Sequence, residues 1–76
     1  MEQEIIDLVA GVLKIAPALI TRATTMDDLQ EWDSMRNVMI LSTLEEHFDI
    51  MFPEDDIFDL ISIDALVNEV EKLKKA

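Results

Sequence analysis

The chain has no cysteine, one glycine, two prolines and one histidine in 76 residues, and each shortage removes a class of answer. No disulfide can staple so small a domain, and a structural zinc site would have no thiolate and only His47 to draw on. Scarce glycine and proline leave little turn chemistry for an all-β fold. No apolar run approaches the ~20 residues of a membrane span. The opening Met1-Glu2-Gln3-Glu4 is not a basic segment leading into an apolar one, so a cytoplasmic protein is expected. Basic residues are also few, six Lys and Arg against seventeen Asp and Glu, for a formal charge of −11. That excludes nucleic acid and anionic membranes as natural partners and leaves two readings, docking to basic protein surfaces or a solvated surface kept for solubility. The acids crowd Asp27 to Asp64, where only Arg36 opposes them.

Half of the residues are apolar, and their spacing is helical. Residues 3–14 place Ile5, Leu8, Val9, Val12 and Leu13 on one stripe, with Glu2, Glu4 and Asp7 near the start and Lys14 near the end, as the helix dipole prefers. Gly11 weakens a helix interior and is expected where another backbone comes close. Pro17 is expected to stop the helix. From Ala18 to Asp33 the apolar residues Leu19, Ile20, Met26, Leu29 and Trp32 lose periodicity, which predicts a long loop tacked onto the helices, with a short turn between Thr25 and Gln30. Residues 34–48 form the second helix on Ile40, Leu41, Leu44 and Phe48. Pro53-Glu54-Asp55-Asp56 opens a short third helix reaching Leu60, with Pro53 at its first position and Ile57, Phe58 and Leu60 to bury. Ser62 with Asp64 caps the last helix, whose stripe is Ile63, Leu66, Val67, Val70 and Leu73 and whose end carries Lys72, Lys74 and Lys75. The expected fold is all-α: a small four-helix bundle over residues 1–76, three main helices plus a short third, with a long loop between the first two.

Ser34 stands where the second helix begins, beside Asp33. Locally, Asp33 or Ser34 reads as an N-cap. The same place offers backbone N–H groups and the positive end of a helix dipole to a phosphate ester on the serine oxygen. Met35, Val38 and Met39 cannot all share the core stripe of Leu44 and Phe48, so they form an exposed apolar patch beside Ser34, unless the bundle buries this helix on two sides. Serine hydrolysis lacks support: there is no Gly-x-Ser-x-Gly, and His47 lies roughly 20 Å along the same helix at 1.5 Å per residue. Glu54-Asp55-Asp56 and Asp59 lack the glycine and the spacing of an EF-hand. No catalytic residue and no metal site is expected; a modification site and a docking surface remain.

Asp33-Ser34-Met35 resembles the Asp-Ser-Leu motif of acyl carrier proteins. Val38, Leu44, Glu45, Glu46, Phe48 and Asp49 match that family's second-helix pattern with its Leu-Glu-Glu-x-Phe-Asp run. Phe52-Pro53-Glu54-Asp55 resembles the Ile-Pro-Asp/Glu-x entry to the short helix, and Ser62-Ile63 the Thr-Val that opens the last. The resemblance implies a non-catalytic carrier with a 4′-phosphopantetheine arm, taken from coenzyme A, on Ser34. It implies that Asp33 assists recognition by the phosphopantetheinyl transferase. Met35, Val38, Met39, Glu45 and Glu46 would face acyl-loading and acyl-processing enzymes with basic or mixed docking surfaces, and the third helix would help line a groove for the acyl chain. The carrier would be a monomer serving fatty-acid, polyketide or related biosynthesis. Three departures, Met35 for leucine, Arg36 and Met39 at positions often acidic in fatty-acid carriers, and Glu31-Trp32 for Gly-Ala, suit a specialised carrier better than the housekeeping one. An aminoacyl, peptidyl or D-alanyl carrier remains open, as does an unmodified acidic helical adaptor.

Overall fold

Helix α1 spans Glu2–Leu13, α2 spans Ser34–Phe48 and α3 spans Ile63–Lys75 in the computed structural model, which describes residues 1–75. Ala76, the last residue of the expected domain, lies outside the described residues. Single 3₁₀ turns at Pro17–Leu19 and Met26–Asp28 and a six-residue 3₁₀ segment at Glu54–Asp59 break up the connections. The order of four helices is the expected one, with the short third of 3₁₀ form.

The core is the meeting of the three stripes. Ile5 and Val9 of α1, Ile40 and Leu44 of α2, and Leu66 and Val70 of α3 are shut off from solvent. Helix α1 packs against both α2 and α3, which is why it buries Ile6 and Ala10 beyond the expected stripe, while Leu8 and Val12 are half-buried. Burying such side chains stabilises by about 1.5–3 kcal/mol each, the driving term in a domain this small.

The ends of the helices correct two expectations. Helix α1 stops before Pro17 acts: Lys14 turns into the left-handed region at φ 60° and its N–H donates to the Ala10 carbonyl. Pro17 instead opens the next 3₁₀ turn, where its fixed φ is useful. Gly11 is exposed, and a Cβ built on it would meet nothing within 4 Å. No backbone approaches it. Asp49 ends α2 in the same left-handed way, at φ 55°.

The long connection is tied down at both ends. Ile20, Thr24 and Trp32 are buried, but Leu19 is exposed. Thr25 and Asp28 cap one another across the Met26–Asp28 turn, within the range where a turn is expected. An isolated antiparallel bridge pairs Thr25 with Ser62, with Met26 N–H donating to the Ile61 carbonyl at 2.8 Å and Ile63 N–H to that of Thr24 at 3.0 Å. Arg22 donates from Nε to Asp64 at 2.8 Å and through its two terminal nitrogens to Glu2 and Asn68 at 2.9 Å each. One loop cation thereby joins the starts of α1 and α3.

The third segment departs from a regular helix. Pro53 lies outside it in an extended conformation as its N-cap, and none of its six residues is buried. Leu60, just beyond, is buried, Ile57 is half-buried, and Phe58 is 87% exposed. A run of three acids and so few anchors cannot hold more than short 3₁₀ pairing. Ser62 caps α3 as expected, its hydroxyl accepting from the Ala65 N–H at 3.1 Å. Among the described residues no helix is long and apolar enough to cross a membrane.

Candidate functional site

The start of α2 is set from below by a buried pair. Trp32 is 2% exposed, and its indole Nε1 donates to Asn37 Oδ1 at 2.9 Å, inside the first turn of the helix. Asp33 is then held extended, at φ −106° and ψ −179°, and takes over the cap: its Oδ1 accepts from the Arg36 N–H at 2.8 Å and its carbonyl from the Asn37 N–H at 2.8 Å. Its Oδ2 accepts from the Arg36 guanidinium at 3.1 Å, and the same nitrogen reaches the Glu31 carbonyl at 3.2 Å. The carboxylate of Asp33 is committed on both oxygens.

Ser34 is left over from that arrangement. It is the first residue of α2 and exposed, and among the described residues its hydroxyl has no hydrogen-bond partner. The amides at the first positions of a helix have no carbonyl one turn earlier to bond, so an anion on the serine oxygen would meet N–H groups and the positive end of the dipole. A phosphodiester fits here. Of the two candidate caps, Asp33 makes the capping bond and Ser34 does not.

Around the serine the surface is apolar. Met35, Val38 and Met39 are 77%, 62% and 52% exposed, so the patch expected from their spacing exists. A cavity of about 240 Å³ opens beside it, lined by Met26, Ser34, Asn37, Val38, Ile57, Phe58 and Ile61. Of these sources the third segment, with Ile57 and Phe58, was foreseen. The contribution of Met26 and Ile61 was not, because it depends on the bridge that pairs Thr25 with Ser62. Asn37 was also missed; a lone polar residue three and four positions before Ile40 and Leu41 was its only signal.

Two expected docking residues part company. Glu46 is exposed, but Glu45 is half-buried and its Oε2 accepts from the Phe52 N–H at 2.8 Å. That bond pins the chain leaving α2 and ties one oxygen of Glu45 to the Phe52 amide. His47 is at the far end of α2, 3.4 Å from Glu4 and edge-on to Phe48, beside a second cavity of about 320 Å³ lined by Leu8, Thr43, Glu46 and itself. It has no access to Ser34. Among the described residues no cluster of three or more His, Cys, Asp or Glu side chains is arranged to hold a metal ion.

With this geometry in place, the comparisons with known proteins agree on one family. The family model described as a phosphopantetheine attachment site matches residues 3–70. The acyl carrier protein of Campylobacter fetus subsp. fetus is 36% identical over 73 residues, covering 95% of this chain and 94% of that protein. That of Syntrophobacter fumaroxidans is 31% identical, covering 100% and 94%. The solution structure of the holo acyl carrier protein from Geobacter metallireducens superposes with a TM-score of 0.84 over 95% of this chain and 83% of that one; at 24% identity it shows a shared fold. The prosthetic group of the family is phosphopantetheine, and its members carry and do not catalyse. The chain belongs to the acyl carrier proteins, a family built around a phosphopantetheine attachment site.

Proposed function

We propose that Ser34 is the attachment point of the 4′-phosphopantetheine arm and that the chain, acting as one domain in the cytoplasm, holds an acyl intermediate and presents it to partner enzymes of fatty-acid, polyketide or related biosynthesis. When bound, the arm supplies the thiol on which a carboxylic acid is held as a thioester, chemistry for which this chain has no side chain of its own. The observation that carries the reading is the free, exposed Ser34 hydroxyl beside an aspartate that has taken the capping bonds.

The other residues take roles around it. Asp33 and Trp32 fix the serine in position, and the first amides of α2 stabilise the charge of the diester. Met35, Val38 and Met39 offer the phosphopantetheinyl transferase and the acyl-handling enzymes an apolar contact. Arg36 neutralises Asp33 beside that contact, so docking there rests on apolar area more than on charge, with Glu46 contributing farther along the helix. This favours a specialised carrier whose partners present mixed surfaces. The cavity beside Ser34 accepts the first part of an apolar cargo, and at about 240 Å³ it suits a short one.

The exposed patch alone would also serve an unmodified adaptor, and intact mass separates the two. After incubation of the apo chain with coenzyme A and a broad-specificity phosphopantetheinyl transferase, a mass gain of one arm is expected, absent in Ser34→Ala. No gain with either of two unrelated transferases, or a gain that persists in Ser34→Ala, overturns the assignment.

A further inference from the structure

Asn37 lies one turn along α2 from Ser34 and lines the same cavity. These two residues are the polar part of its lining; Met26, Val38, Ile57, Phe58 and Ile61 make the rest apolar. Asn37 is 9% exposed, and its Oδ1 is already engaged, accepting the buried indole N–H of Trp32 at 2.9 Å. An indole N–H can only donate, so this bond also settles how the amide is turned, with oxygen toward Trp32 and nitrogen away from it. Nδ2 keeps both of its N–H donors, and among the described residues it has no acceptor. Nor is it sealed in the core, since the covered side-chain atom without a partner among the described residues is Oε2 of Glu69. The open side of Asn37 is the cavity.

A pair of donors is therefore held in place inside a pocket with apolar walls, next to the attachment point. A saturated chain filling that pocket would shut solvent away from the donors and offer them nothing, whereas a chain with a carbonyl or hydroxyl oxygen would pair them. The Trp32 bond holds the amide still, so little side-chain freedom is lost when the new bond forms. One polar group placed among apolar walls is how a pocket selects among ligands of equal size.

We propose that Asn37 Nδ2 is the specificity-determining donor of this cavity, and that the cargo is a short acyl chain carrying an oxo or hydroxy oxygen along its length and not a fully saturated one. The inference rests on the reading of Ser34 as the attachment point and adds the chemical class of what is held there.

The test delivers paired cargoes in two ways, so that a failed attachment and a failed donor are told apart. In the first, the nitrogen-15-labelled chain is loaded by a phosphopantetheinyl transferase from coenzyme A, butyryl-coenzyme A or 3-hydroxybutyryl-coenzyme A, with intact mass verifying each product. In the second, Ser34→Cys gives the cysteine-free chain a single thiol at the cavity, to which butyl and 3-hydroxybutyl groups are attached with methanethiosulfonate reagents. The side-chain amide signals of Asn37 and the indole signal of Trp32 are followed by NMR. Under the hydroxylated chain the Asn37 amide protons are expected to move downfield and to exchange with solvent more slowly than under the saturated chain or the bare arm, while the indole signal stays in place. Asn37→Asp keeps an acceptor for the indole and removes the donors, so the hydroxylated chain should lose its nuclear Overhauser contacts with the Val38 and Ile61 methyls. Should that variant not fold, the comparison of cargoes on the unaltered Asn37 carries the test. Equal movement under the saturated and the hydroxylated chain, or none under either, overturns the proposal, whereas absence of any mass gain bears on Ser34 alone and leaves the thiol-tethered arm to decide.

Discussion

The indole N–H of Trp32 donates to Oδ1 of Asn37 across 2.9 Å, and both side chains are buried. The bond spans the junction of loop and helix with Ser34 between its two ends, so the position of the serine is inherited from a polar contact inside the core. In Asn37→Ala the indole keeps its burial and loses its acceptor, a cost of about 1–3 kcal/mol. Urea unfolding followed by the fluorescence of the single tryptophan measures it; a loss under about 0.5 kcal/mol would show that the bond is not structural.

Asp33 and Ser34 should separate cleanly by mutation. Asp33→Ala removes the acceptor of the Arg36 N–H and should cost about 1 kcal/mol of stability. Ser34→Ala removes an exposed hydroxyl without a partner and should stay within about 0.5 kcal/mol of wild type while abolishing loading of the arm. Equal destabilisation by the two would mean that the serine shares the cap.

Gly11 carries a cost that nothing in the fold requires. Open space surrounds its missing side chain, so Gly11→Ala should raise stability by about 1 kcal/mol through helix propensity alone. A loss in thermal or urea unfolding would mean that this position is occupied when the chain is folded.

Burial of Glu69 on α3 sets the sign of one pH effect. Because the folded state raises the Glu69 pKa above its ordinary 4.5, it binds the proton more tightly than the unfolded chain does. The associated stability is fully present below the unfolded value and is lost as pH rises through the folded one. The melting temperature of wild type should therefore fall more steeply than that of Glu69→Gln as pH rises from about 4.5. Parallel curves would show that Glu69 titrates as an ordinary exposed acid.

Net charge of −11 makes self-repulsion a general burden on the fold. Millimolar magnesium or added salt should raise the melting temperature. The Arg22 contacts to Glu2 and Asp64 oppose that trend, because they join exposed groups and weaken with screening. Arg22→Ala should accordingly lower the melting temperature most at low salt; a salt-independent loss would assign Arg22 a packing role instead.

The sequence by itself determined the three main helices, Ile40, Leu44, Leu66 and Val70 as core, and the family through Asp33-Ser34-Met35 together with the runs Leu44 to Phe48 and Phe52 to Asp55; the exposure of Met35, Val38 and Met39, open against a helix buried on two sides, was settled by the packing. Periodicity and motif spacing are relations among neighbours along the chain, and a helix keeps them. Tertiary structure alone decided which of Asp33 and Ser34 caps α2, since that turns on Trp32 reaching Asn37 and Arg36 reaching back to Asp33. It also turned Glu45 toward the Phe52 amide, left Gly11 facing solvent and let Lys14, not Pro17, end α1. The cavity beside Ser34, completed by Met26 and Ile61, arises between segments far apart in sequence, where burial and hydrogen-bond partners exist only after the chain has closed on itself.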